Sequence, residues 1–130
     1  MLNFFKAKPR VLLLDDDVAM QKLVALLLKR DGFRVDVVNR GSRAIEALEK
    51  DSYGAILLDL MMPTEGGMTV LRHLRENKPE LLKSVILLTG TPKSVLKNVS
   101  SEVFAVVTKP FDPQQLVATV RSLSPGDQSK

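Results

Sequence analysis

Ala55-Ile56-Leu57-Leu58-Asp59-Leu60-Met61-Met62-Pro63 decides the reading of this chain. An unbroken apolar run that ends on an acid and is closed by a proline reads as a strand covered on both faces, with a carboxylate delivered at its carboxyl end. Similar short runs occur at Val11–Leu14, Arg34–Val38, Ser84–Thr89 and Val103–Thr108, each bounded by Gly, Pro, Asp or Lys. The first, third and fourth runs in chain order are continuous rather than alternating, which points to a parallel sheet.

Helical patterns lie between the strands. The first, about Val18 to Arg30, sets Met20, Leu23, Val24 and Leu27 on one stripe, with Asp17 as N-cap and Gly32 as a left-handed terminator. The second, Ser42 to Lys50, takes Ser42 as N-cap and buries Ile45 and Leu48. The third, Gly67 to Asn77, buries Val70, Leu71 and Leu74. A fourth, Lys93 to Ser100, is short and rich in β-branched residues. The fifth runs from Pro113 to Leu123 behind the N-cap Asp112 and buries Leu116, Val117 and Val120. Five strands alternating with five helices through short connections imply right-handed crossovers and a doubly wound α/β fold. Ligands of such folds sit at the carboxyl ends of the strands.

The 130 residues suit one globular domain, expected over 9–123, with an N-terminal extension at 1–8 and a polar tail or linker start at 124–130. Any output activity must then lie elsewhere. A chain 45% hydrophobic and 26% charged is ordinary for a soluble protein, and no apolar run is long enough to cross a bilayer. Without cysteine there is no disulfide framework or thiolate metal site, and residues 1–6 are too short an apolar stretch for a secretory signal, so a cytoplasmic location is expected. The net charge of +4 is spread over several helices, Lys29 and Arg30, Arg72 and Arg75, Lys93 and Lys97. That reads as solvated helix faces, and neither direct nucleic-acid binding nor membrane binding is expected.

Four strand ends carry pointed chemistry: Asp15-Asp16-Asp17, Asp59, Thr89 and Lys109. A polar turn and helix cap accounts for Asp17, but not for a carboxylate at the end of so apolar a strand as the third, where desolvation is costly. Clustered carboxylates repel unless a cation or a proton relieves them. A hard divalent ion such as Mg²⁺ is the natural partner, and Lys109 would pair with Asp59 or with a phosphoryl oxygen. His73, between Arg72 and Arg75 on the third helix, reads as exposed and without chemistry, and Met61-Met62 as packing residues.

The segments Val11-Leu12-Leu13-Leu14-Asp15-Asp16-Asp17, Leu57-Leu58-Asp59-Leu60-Met61-Met62-Pro63, Leu87-Leu88-Thr89-Gly90 and Thr108-Lys109-Pro110-Phe111 together resemble the signature segments of response-regulator receiver domains. The resemblance covers nearly the whole chain and implies a flavodoxin-like five-stranded parallel sheet in the order 2-1-3-4-5. It implies a two-component phosphoacceptor that catalyses its own phosphotransfer and slow dephosphorylation rather than an enzyme with a separate substrate. Asp59 would take the phosphoryl group from a histidine kinase or histidine phosphotransfer protein, and a downstream target protein or detached output domain would read the result. By the same resemblance Asp16, Asp59 and the main-chain carbonyl of Met61 ligate Mg²⁺ directly, Asp15 acts through a coordinated water, and Thr89 and Lys109 hold phosphoryl oxygens. It further implies a cis Lys109-Pro110 bond and an output face on the fourth helix, fifth strand and fifth helix. One departure stands out: many receivers carry a rotating aromatic residue three positions before the lysine, where this chain has Val106. The segment from Thr91 to Glu102 is also slightly short.

Rival readings share parts of this pattern. A haloacid dehalogenase-like phosphatase would use Asp15, Asp17, Thr89 and Lys109, but it needs a further acidic pair for which only Asp112 and Asp127 remain, and it leaves Asp59 idle. A flavodoxin-like flavin carrier would meet three aspartates where its phosphate must bind. A non-phosphorylated interaction module of the same fold would keep the site as a relic.

Overall fold

The computed structural model describes residues 10–63, 65–91 and 96–123. Strands β1 (Arg10–Leu14), β2 (Arg34–Val38), β3 (Ala55–Asp59), β4 (Val85–Thr89) and β5 (Ala105–Thr108) alternate with helices α1 (Val18–Arg30), α2 (Gly41–Lys50), α3 (Gly67–Asn77), α4 (Lys97–Ser100) and α5 (Pro113–Leu123). A 3-10 segment, Pro79–Ser84, leads into β4. All strand pairs are parallel, in the order β2-β1-β3-β4-β5. The order implied by the resemblance is the one found. The expected extension 1–8 and tail 124–130 lie outside the described residues, as do Lys93 to Val95 of the expected fourth helix.

Strand alternation divides the core into two layers. Leu12, Leu14, Ile56, Leu58 and Leu87 pack under α2 and α3. Val11, Leu13, Leu57, Ile86 and Leu88 pack under α1 and α5. Every residue of β3 and β4 is buried, so their continuous apolar reading has its cause in this double cover.

The helix expectations hold in place and differ in detail. In α1 the inward stripe is Val24, Ala25 and Leu28, while Leu23 is 40% exposed. This helix is apolar almost all round, so periodicity left its roll open and packing against the sheet and α5 chose it. Asp17 caps α1 by accepting from the Met20 amide at 3.2 Å, and Gly32 has φ 96°. Ser42 is not the cap of α2, which begins at Gly41 behind Arg40 and has no side-chain cap of its own. In α2 the buried residues are Gly41, Ala44 and Leu48, with Ile45 only partly covered. Asp112 accepts from the Gln114 amide at 2.9 Å, as a cap of α5 does. The last strand starts at Ala105 rather than Val103, because the chain before it is still in a turn in which the Glu102 amide donates to the Val99 carbonyl at 3.0 Å.

At the amino ends of the strands, Arg10 bridges Asp36 and Asp51 and lies over the ring of Tyr53, whose hydroxyl also donates to Asp36 at 2.6 Å. This knot of charge sits on the side of the sheet away from the acidic residues, which leaves the opposite rim for chemistry. Among the described residues no helix is long and apolar enough to cross a membrane.

Candidate functional site

The carboxyl ends of β1, β3, β4 and β5 converge. Carboxylate oxygens of Asp15, Asp16 and Asp59 lie within 4.8 Å of one another, with Asp16 exposed and the other two buried. Asp59 is 3% exposed. Its Oδ1 accepts from the Met61 amide at 2.9 Å, and its Oδ2 lies 3.3 Å from Lys109 Nζ. The Lys109 amide donates to the Thr89 carbonyl at 2.8 Å, and the Lys109-Pro110 bond is cis, as the resemblance implied.

Asp15 is the most constrained of the acids. Its Oδ1 accepts from the Asp17 amide at 2.9 Å, whereas its Oδ2 is buried and has no hydrogen-bond partner. Burial pushes its pKa up to about 6, against the pull of the Asp17 amide, and the charge of Asp59 pushes the same way while Lys109 opposes it. Gln21 Nε2 donates to the Asp15 carbonyl and ties α1 to the turn. A buried oxygen without a donor beside two further carboxylates is a donor set of hard oxygens and suits a hard divalent cation.

Thr89 is fully buried, and its hydroxyl accepts from the Thr91 amide at 2.9 Å. The Thr91 hydroxyl reaches the Met61 sulfur at 3.7 Å, so these two side chains meet across the mouth of the site. Met61 is 62% exposed and is not a packing residue, in contrast to the sequence reading. Gly90 leaves the mouth open: a Cβ built there meets nothing within 4 Å. Val106 is buried in the layer under α2 and α3. His73 is half-buried rather than exposed, with Nε2 3.8 Å from Glu49.

The structure also brings in residues that sequence reading missed. A Cβ at Gly67 would lie 2.9 Å from the Asp59 carbonyl oxygen, so α3 can start this close to β3 only with glycine there. The Gly66-Gly67 pair between strand and helix was the available signal. Glu65 accepts at its carbonyl from the Gly41 amide and at its carboxylate from the Ser42 amide, 2.8 and 2.9 Å. No sequence signal marks that role, because the partner is 23 positions away. The scattered basic residues that the structure describes lie on exposed surface, where Arg75 makes two bonds to Glu102 and Arg121 two to Asp31.

The profile of the response regulator receiver domain family matches residues 11–121. Among curated relatives, the DNA-binding response regulator MtrA of Mycolicibacterium smegmatis is 34% identical over 115 residues, covering 88% of this chain and 50% of MtrA. The transcriptional regulatory protein CpxR homolog of Haemophilus influenzae is 32% identical over 118 residues, 88% of this chain and 49% of that protein. The chain thus spans about half the length of the curated relatives it matches. Among solved structures, the receiver domain of the Francisella response regulator 1452 superposes with a TM-score of 0.78 at 26% identity, over 94% of this chain and 99% of that one. The Thermotoga maritima response regulator protein TrrA, in complex with Mg²⁺-BeF, superposes with a TM-score of 0.77 at 27% identity, over 88% and 98%. Profile, relatives and fold agree: the chain belongs to the response regulator receiver domains of two-component signalling.

Proposed function

We propose that Asp59 is the phosphoacceptor, taking its phosphoryl group from a phosphohistidine of a histidine kinase or histidine phosphotransfer protein. One observation carries the assignment: a carboxylate 3% exposed faces a lysine ammonium at 3.3 Å beside two further acids. A carboxylate oxygen of Asp59 attacks phosphorus in line as the N–P bond breaks. The bond's electron pair returns to the imidazole, which takes up a proton from solvent. Asp16, Asp59 and the Met61 carbonyl would hold Mg²⁺, with Asp15 acting through a water. Bound there, the ion supplies charge neutralisation for the transferring oxygens. Lys109 supplies a second positive charge, and the Thr89 hydroxyl a hydrogen bond to a phosphoryl oxygen once it swings from the Thr91 amide. The switching unit is residues 9–123, it works in the cytoplasm, and a downstream protein or output domain reads it.

Capping argues against the phosphatase reading. The Asp17 carboxylate holds the Met20 amide and the Asp112 carboxylate the Gln114 amide, so two acids that reading needs are already engaged. The test is labelling by a small acyl phosphate with and without Mg²⁺. Asp59→Asn is expected to abolish labelling while keeping the fold, and Asp16→Ala to lose metal affinity first. Equal labelling of wild type and Asp59→Asn overturns the assignment.

A further inference from the structure

We propose that Glu65 is a positioning residue for the metal site: by capping α2 from outside that helix, it fixes the loop that presents the Met61 carbonyl. This rests on the metal-site reading above. The first amides of a helix have no partner within it. In α2 the Gly41 amide donates to the Glu65 carbonyl and the Ser42 amide to the Glu65 carboxylate, while Arg40 at the N-cap contributes no side-chain bond. One residue of the β3–α3 connection therefore serves both amides. The Ser42 amide in turn holds the Glu65 carboxyl below the usual carboxylate range, with the charge of Arg40 acting in the same direction.

A second observation is independent of the side-chain bond. A Cβ at Gly41 would stand 3.3 Å from Glu65 Cβ, the Glu65 carbonyl oxygen and the Gly66 carbonyl oxygen, so the two backbones are in close contact. The near end of the same connection is pinned to the acids, since the Met61 amide donates to Asp59 and the Leu60 amide to the Leu88 carbonyl. The far end is pinned by Gly67 against the Asp59 carbonyl. Glu65 is the hydrogen-bonded tie among these that leads to α2, beside the packing of Leu60 and Met62 on the core layer in which Ala44 and Leu48 anchor that helix. Without it, the connection keeps its pinned ends and the packing of Met62 on the core but loses its tie to α2, and by this proposal the Met61 carbonyl is held less firmly for the ion.

The experiment is Mg²⁺ titration of the full chain, read from the Met61 amide resonance, with hydrogen exchange of the Ser42 amide measured without metal. Glu65→Ala and the shorter Glu65→Asp are expected to weaken Mg²⁺ binding about fivefold, below the roughly ten- to hundredfold typical of groups bonded directly to a ligand. Both are expected to speed Ser42 exchange. Glu65→Gln, which keeps the acceptor oxygen and drops the charge, is expected to stay within about twofold of wild type in affinity. Val120→Ala, which loosens α5 in the opposite core layer and touches neither α2 nor Glu65, controls for general destabilisation and is expected to bind Mg²⁺ normally. Wild-type affinity in folded Glu65→Ala or Glu65→Asp overturns the proposal. So does a Glu65→Gln as weak as Glu65→Ala, which would make charge the cause, or an equal loss in Val120→Ala. A wild type that binds no Mg²⁺ overturns the metal site, and this proposal with it. That failure is distinguishable, because Ser42 exchange reports the brace without any ion.

Discussion

A carboxylate with no exposed surface and one unpartnered oxygen costs less to keep protonated than charged, and Asp15 is such a group. Its pKa rises from 3.8 to about 6 on folding, so between those values the folded chain binds more protons than the unfolded one. The stability Asp15 contributes is therefore complete below about pH 3.8 and is lost as pH rises through about 6. In metal-free urea unfolding, wild type is expected to lose stability relative to Asp15→Asn across that window, and Mg²⁺ is expected to restore it above the window. Parallel pH curves for the two proteins would refute this. At the mouth, a water attacking a phosphoryl group on Asp59 must pass Met61 and Thr91, which touch each other and offer neither carboxylate nor amide to align it. Two missing orienting bonds at about 1 kcal/mol each slow hydrolysis by roughly ten- to thirtyfold. Met61→Asn combined with Thr91→Glu is expected to speed dephosphorylation by that factor with phosphorylation unchanged. A phosphoryl lifetime equal to wild type would show that these side chains do not set it.

At the scale of elements, the two glycines of the site differ in what surrounds them. Gly67→Ala forces a Cβ to 2.9 Å from the Asp59 carbonyl oxygen, so α3 or the end of β3 must move. A loss of about 1–3 kcal/mol in chemical denaturation is expected, together with slower labelling. Gly90→Ala meets open space and is expected to stay within about 0.5 kcal/mol of wild type. The roll of α1 is testable in the same way. Leu28 is fully buried and Leu23 is 40% exposed, so Leu28→Ala is expected to cost about 2–5 kcal/mol and Leu23→Ala far less. A larger loss in Leu23→Ala than in Leu28→Ala would mean that the helix faces the sheet with the stripe its periodicity suggests. Helices α3 and α5 were legible to the residue because each has one apolar stripe between polar faces and a clear glycine or Asp-Pro start. Helix α2 was not, because the group that satisfies its first amides belongs to another connection.

Across the whole molecule, the question is how far a change at Asp59 can travel. Thr89 and Lys109 link the acids to β4 and β5, and the next inward residue on β5, Val106, is packed among apolar neighbours under α2 and α3. A buried valine cannot make the swing of an exposed aromatic ring, so the response is expected to be small, centred on the connection after Thr89 and on α4. A partner is then expected to read it on the face of α4, β5 and α5. Amide shift changes on adding a phosphoryl mimic test this, and changes concentrated on α1 and α2 would count against it.

The order of elements, the parallel sheet and the chemical character of its rim were determined by the sequence alone. Runs such as Ala55–Leu58 can be satisfied only by burial on both faces, and acids following such runs can lie only at the strand ends. What only the tertiary structure decided depends on distance between segments rather than on local pattern. The roll of α1, the cap of α2 by Glu65, the pairing of Arg75 and Arg121, and the half-burial of His73 each involve a partner far away in the chain. Hydrophobic periodicity reports which face is apolar, and polar groups report that they need partners; which partner each one finds is settled when the layers close on each other.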